Sequence, residues 1–323
     1  GMMFIRGHRW DYDRWAALGA DGWDYASVLP YFRRMEDNER GADAWRGTGG
    51  PIAVSEGRAR YPITDQWIAA AQQAGIARST DLNGESAEGV DYVQVSQRNG
   101  TRCSSARGYL HERRGGKTPT ILLEAQLLRL LIEDNRAVGI VYRQDGVEKT
   151  LRARHGVILS AGAMNTPRLL MLSGIGPADE LRALGIASAA DLPDVGRHLE
   201  DHPLLAGVAY QARRPVPPSH YNHCDSLLYV PHATAGQSPD ILVMCLSVPF
   251  VRPTVGPLAA PAYVLVPCHL QPRSRGSLRL ASSDPRVAAI IDPNYLGDSD
   301  DLAVLAKGVE IAREIGAAKA FDD

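Results

Sequence analysis

A chain of 323 residues with a net charge of −2 and 45% hydrophobic residues can fill more than one core, and offers no basic excess for nucleic acid or an anionic membrane. Its 31 glycines and 21 prolines exclude a plain helical bundle, and no apolar run approaches the roughly 20 residues of a membrane span. Cys103, Cys224, Cys245 and Cys268 lack CxxC spacing, which argues against a disulfide framework or zinc site and for reduced thiols in a cytoplasm. The opening GMMFIRGHRWDYDRW interleaves its charges and does not read as a signal peptide.

Residues 1–40 are dense in aromatics: Trp10, Tyr12, Trp15, Trp23, Tyr25, Tyr31 and Phe32. After Asp24 and Tyr25, the spacing of Leu29, Phe32 and Met35 predicts one helix seated by aromatic packing. Residues 41–60 are glycine-rich, but their spacing fits neither GxGxxG nor GxxxxGK[ST], so they predict a tight turn feeding a short strand over 52–54. A helix is predicted over 63–75, with Thr64 as N-cap, Trp67, Ile68, Ala71 and Ala74 on one face, and Gly75 as its stop. Residues 81–92 read as a loop with an Asn83-Gly84 turn. In NGTRCSSARGYL (99–110), Ser104, Ser105 and Arg107 have no adjacent histidine base, so they read as a helix cap and surface charge. Strands are predicted over 120–125 and 136–143 with a turn at 133–135, and 148–159 continues the set.

The most informative stretch is HGVILSAGAMNTPRLLMLSGIGP, residues 155–177. Val157, Ile158 and Leu159 predict a short buried strand, followed by the small residues Ser160, Ala161, Gly162 and Ala163. Asn165 or Thr166 then caps a helix with Pro167 in its first turn and Leu169, Leu170 and Leu172 on its apolar face; the run from Ser173 to Pro177 ends it. A strand, a small-residue turn and a capped helix form either a plain βα turn or the corner on which α/β proteins hold nucleotide cofactors. The combination of Gly162, Thr166, Pro167, Leu169, Leu170, Ser173, Gly174, Ile175 and Gly176 resembles the second signature of the glucose–methanol–choline (GMC) flavin oxidoreductases. Gly1, Met2, Arg6 and Gly7 resemble the tail of the first signature, and residues 11–23 resemble the segment after that tail.

Beyond the corner, 179–184 predicts a short helix and 191–203 a loop. His198 and His202 stand four apart, but Gly196 and Pro203 interrupt helical spacing and no third ligand is near, so no metal is assigned. The string resembles a metal-free turn of the family. His220, His223 and Cys224 share a loop and likewise receive no metal. From residue 204 onward LLAGVAYQA, DILVMCLSV, AYVLVPCHL, GSLRLAS and AAIIDPNY read as strands without crossover helices, which implies an antiparallel sheet. Residues 273–295 resemble the family's substrate domain. A final helix over 301–316 is predicted with Leu302, Leu305, Val309, Ala312 and Ile315 on one side.

The expected fold combines α/β and α+β parts: a partial FAD-binding, Rossmann-like domain and a substrate domain whose antiparallel sheet is covered by helices. The segments expected are a flavin-proximal extension (1–50), a substrate-domain part (51–100), a part of the FAD-binding domain (101–194) and the sheet-bearing substrate domain (195–323). The resemblance implies FAD as cofactor. It implies that Gly1 and Met2 offer backbone contacts to the flavin, that Leu127 meets the adenine edge through its backbone, and that Ser160, Ala161 and Gly162 line the adenosine. It further implies oxidation of a small-molecule alcohol to an aldehyde by hydride transfer to flavin N5, as in choline- or aliphatic-alcohol-type members. Two elements of that chemistry are absent from the sequence: a strand followed by GxGxxG, and the family's C-terminal histidine motif. None of the nine histidines is assigned as catalytic base, so the chain alone is expected to be inactive and to hold FAD weakly or not at all. Exposed core surface would favour self-association or a complementing chain. The other readings are a non-catalytic truncated or interaction module that retains the fold, and a lyase acting on hydroxynitriles.

Overall fold

The computed structural model describes residues 2–111, 119–216, 222–232, 238–251, 256 and 261–322. Helix α1 (Arg9–Ala17) was not legible in the sequence; His8 caps it, its ring accepting from the Trp10 N–H while the Asp11 carboxylate accepts from the His8 N–H. Helix α2 (Tyr25–Met35) starts at the Asp24 cap and keeps Leu29, Phe32 and Met35 half-buried, as predicted. The glycine-rich stretch then turns between β1 (Glu36–Asn38) and β2 (Ile52–Glu56), which pair in parallel. Close packing explains its glycines: a Cβ on Gly47 would stand 1.9 Å from the Arg33 carbonyl oxygen.

Helix α3 (Pro62–Gln73) opens with Pro62 and no side-chain cap, so Thr64, predicted as N-cap, lies buried inside the helix. Proline sets the first-turn φ without needing its missing N–H, which makes a later cap unnecessary. Gly75, at φ +84°, ends the helix as predicted. Four short strands come next: β3 (Gly89–Tyr92), β4 (Gln94–Val95), β5 (Gln97–Arg98) and β6 (Thr101–Arg102). Ser104 Oγ then accepts the Arg107 N–H at the start of a single π-turn, Arg107–His111.

An antiparallel meander of β7 (Gln126–Glu133), β8 (Arg136–Gln144) and β9 (Val147–Arg152) succeeds it. Its turns place Asp134, Asn135, Asp145 and Gly146 at positive φ, the conformation that suits two-residue hairpins. The strand predicted over 120–125 is corrected: pairing begins only at Gln126, and Ile121, Leu122 and Leu123 are exposed. The chain continues through α4 (Gly162–Leu172), β10 (Ile175–Gly176), α5 (Ala178–Ala183), β11 (Ala190–Asp191), β12 (Val208–Gln211), β13 (Ser226–Val230), β14 (Ile241–Leu246), β15 (Ala262–His269), β16 (Ser277–Arg279), β17 (Ile290–Asp292) and α6 (Ser299–Gly316).

These elements form two compact units. The first comprises residues 1–119, 202–271 and 300–323, and is built on a sheet of order β12-β15-β14-β13-β3 in which every neighbour is antiparallel. Side chains alternate across it: Leu228, Ile241, Val243, Tyr263 and Leu265 meet α3 and α6 in the main core. Trp67 of α3 is fully buried there. Gly308 lets α6 approach the sheet, since a Cβ would come within 2.9 Å of Pro267. The buried side of α6 is Val304, Leu305, Gly308, Ala312 and Ile315; Leu302, predicted on that side, is 56% exposed.

The second unit comprises residues 120–201 and 272–299. GSLRL and AIID do not join the large sheet: β16 and β17 pair with each other beside α4 in this unit. Met171, Leu181 and Leu278 form its small core, and Ser173 Oγ accepts the Leu130 N–H at 2.8 Å, tying α4 to the meander.

The core of the first unit should be its stability reserve. Trp67→Ala is expected to lower stability by about 3–5 kcal/mol, seen as a lower denaturant midpoint with unchanged slope. All four thiols are free and buried, and burial pushes Cys224 up to about 12. Iodoacetamide at pH 8 is expected to leave the native thiols unmodified and to label all four after denaturation.

Candidate functional site

In the second unit, Val157, Ile158 and Leu159 correct the predicted strand. They form no strand: residues 155–160 make no backbone hydrogen bond to another described residue, and Ile158 is 92% exposed. A strand needs a neighbour to take its N–H and C=O groups, and no described segment takes them. The helix start is also corrected. Gly162, at φ +85°, turns the chain so that α4 begins there with Ala161 as N-cap, before Asn165 or Thr166. Pro167 consequently sits inside the helix, where it leaves the Ala163 carbonyl without its helical donor. Leu169 and Leu172 are buried, Leu170 half-buried, and the helix stops at Ser173 and Gly174 as predicted.

Ala161 makes no side-chain cap, so the first N–H groups of α4 remain open to a ligand. A Cβ built on Gly162 would meet nothing within 4 Å, and Ser160 and Gly162 are exposed. Main chain at this corner can therefore be approached closely, which fits a nucleotide cofactor. Leu127 lies on β7 opposite Tyr142, next to a bulge before Arg129. A cavity of about 500 Å³ opens between the meander, the 157–159 segment and α4, lined by Leu130, Ile132, Val157, Leu159, Thr166 and Leu170 among others.

In the first unit, residues 2–6 form a strap whose main-chain groups are held by β4, Ser96 and Asn83. Met2 O accepts from the Ser96 N–H at 2.7 Å and from Ser96 Oγ, and the Phe4 N–H donates to Gln94 O at 2.8 Å. Asn83 Nδ2 donates to Phe4 O at 2.9 Å, and Asn83 Oδ1 accepts from the Arg6 N–H at 2.8 Å. The Arg6 guanidinium is buried against Glu36 and donates to Trp45 O, and the Glu36 carboxylate also accepts from the Gly47 N–H. Asn38 and Gln94 exchange amide hydrogen bonds beneath the strap, and Gln94 Nε2 reaches Glu56. Burial lowers the His8 imidazole and raises the Asp11 carboxyl from their ordinary values. Gly1 lies outside the described residues.

Leu227, Tyr229, Leu242, Met244 and Leu246 occupy the sheet face opposite the helices, together with Ile5 of the strap. Of the sequence run DILVMCLSV, half thus faces this side, while Ile241, Val243 and Cys245 belong to the helix-facing core. Among the described residues no group of three or more His, Cys, Asp or Glu side chains is placed to hold a metal ion. His198 approaches Asp194 at 3.4 Å, Cys224 Sγ donates to Ser226 O, and His220 lies outside the described residues. His269 is enclosed between the Asp240 carbonyl and Asp301 at 3.4 Å.

A family model described as GMC oxidoreductase matches residues 1–204, and a second of the same description matches 272–323. The chain belongs to the GMC oxidoreductase family. Over its whole length it is 36% identical to a protein named oxygen-dependent choline dehydrogenase from Brucella ovis, of which it covers 62%, and a protein of the same name from Sinorhizobium medicae has equal identity and coverage. The crystal structure of pyridoxine 4-oxidase from Mesorbium loti superposes with a TM-score of 0.94 at 34% identity, over 99% of this chain and 64% of that one. Formate oxidase from Aspergillus oryzae shares the fold with a TM-score of 0.85 at 21% identity, over all of this chain and 66% of that one. This GMC chain thus spans just under two thirds of the length of the relatives it matches.

The site residues that sequence reasoning missed are Asn83, Ser96 and Glu36. Their only sequence signal was polarity in otherwise apolar or turn-forming stretches. Glu36→Ala, which leaves Arg6 buried without its counter-charge, is expected to cost about 3–5 kcal/mol in chemical unfolding. A loss under about 1 kcal/mol would mean the pair is solvated and does not hold the strap.

Proposed function

We propose that this chain is the central portion of an FAD-dependent GMC oxidoreductase that oxidises a small-molecule alcohol to an aldehyde. The observation that carries the reading is the corner at 160–162, with open main chain, a positive-φ glycine and an uncapped helix start. Full-length similarity to relatives named choline dehydrogenase and pyridoxine 4-oxidase supports it. When bound, FAD would supply a hydride acceptor at N5. In this reading Ser160, Ala161, Gly162 and the Leu127 backbone hold the adenosine end, and the main chain at Met2, with Gly1, faces the flavin ring. The apolar sheet face of Met244 and Leu246 excludes water on the substrate side. Residues 101–194 and 195–323 are read as parts of the FAD-binding and substrate domains.

No described histidine is assigned as proton acceptor, and the chain carries no GxGxxG turn for the diphosphate. Residues 1–323 by themselves are therefore proposed to be inactive and to hold FAD weakly or not at all. The exposed Ile158 beside an apolar cavity favours self-association or a complementing chain, the condition under which the same polypeptide acts as an interaction module. Among the described residues no helix is long and apolar enough to cross a membrane.

Purified residues 1–323 are expected to carry less than stoichiometric flavin, to show no alcohol turnover, and to gain mass with concentration in light scattering. Ile158→Ser is expected to weaken that gain. Stoichiometric FAD with turnover would overturn the assignment of missing function, and a monomer at every concentration would remove the self-association arm.

A further inference from the structure

We propose that Asn83 is the positioning residue that sets the main chain of residues 2–6 for its contact with the flavin; this rests on the reading given under Proposed function. One carboxamide takes two main-chain groups of the same strap, accepting the Arg6 N–H and donating to Phe4 O. Those two groups flank Ile5 and point to the same side, the spacing that a partner strand would satisfy. The preceding groups of the strap, Met2 O and the Phe4 N–H, are already taken by a real strand, through the Met3–Val95 bridge and the bonds to Gln94 and Ser96. Asn83 thus extends the hold of that short strand on the strap from Phe4 to Arg6 with one side chain.

The geometry makes this hold stiff. Asn83 is 8% exposed, and its own N–H is held by Asp81 Oδ1 at 3.0 Å in the turn that Gly84 closes onto the Asp81 carbonyl. Both halves of the carboxamide are used, its donor on Phe4 O and its acceptor on the Arg6 N–H. Aspartate keeps the acceptor for Arg6 but turns a second acceptor on Phe4 O. Leucine keeps the volume and loses both bonds. The Arg6–Glu36 pair fixes the far end of the strap but touches none of the groups between Met2 and Phe4. What Asn83 adds is the rotation and depth of the peptides that the flavin would meet.

The test uses Asn83→Asp and Asn83→Leu in the flavin-loaded holoenzyme that contains this chain. Asn83→Leu is expected to speed exchange of the Arg6 amide about tenfold, the equivalent of one lost hydrogen bond. Both variants are expected to shift the flavin's visible absorption band and reduction potential, and to lower kcat about tenfold or more with KM changed less than about twofold. Trp67→Ala, which weakens the distant core, is expected to lower stability and leave the flavin band in place. Should Asn83→Leu fail to fold, the isosteric Asn83→Asp decides alone. Faster Arg6 exchange with an unmoved flavin band and unchanged kcat would overturn the proposal while leaving the flavin reading intact. A wild-type holoenzyme without flavin would remove that reading and the proposal with it.

Discussion

A buried ion pair between Arg6 and Glu36 is the constraint around which the first unit's polar interior is arranged. Two charges removed from water must satisfy each other and their remaining hydrogen-bonding capacity, or the fold loses several kcal/mol. Here the guanidinium also reaches the Trp45 carbonyl, and the carboxylate also receives the Gly47 N–H. The glycine-rich loop is consequently drawn tight against the end of α2, where only glycine fits at position 47. The same pair anchors the end of the strap, whose main chain runs along β4. Loop, helix end and strap are thus fixed by one charge pairing.

The large sheet answers a different requirement, the burial of apolar area. Alternate side chains of its strands meet α3 and α6 on one face and pack with Ile5, Leu82 and Val93 on the other. Glycine at 308 and an indole at 67 are complementary: one removes a side chain so that backbone can approach, the other fills the space that remains. The second unit is held more lightly, by a core of Met171, Leu181 and Leu278. Its run at 157–159 is apolar at every position, the pattern of a strand meant to be enclosed.

Legibility in the sequence depended on how local each signal was. Periodic apolar spacing placed α2, α3 and α6, and the long β-rich runs placed β12, β14 and β15, because these depend on a chain's own pattern. Two of the strands in the large sheet, β3 and β13, were not read: GVDY is short and polar, and SLLYV lies among loop residues. The corner at 155–177 was legible as a small-residue turn into a helix. Its strand was not formed, because pairing depends on a neighbour that the pattern of one segment does not contain. Thr64 and Asn165 were plausible caps by residue type, yet Pro62 and Gly162 began their helices earlier through backbone geometry alone. Asn83 was visible only as half of a turn, since its long-range role joins residues nearly 80 positions apart. Side chains that mimic backbone leave no periodic trace.

Two main-chain stretches, residues 160–162 and Met2, are proposed to contact FAD. Amide hydrogen exchange of the assembled protein, with and without FAD, tests this most directly. The account predicts slower exchange on binding at both stretches and no change in α3 or α6. Protection confined to other segments, or FAD bound with neither stretch protected, would contradict it.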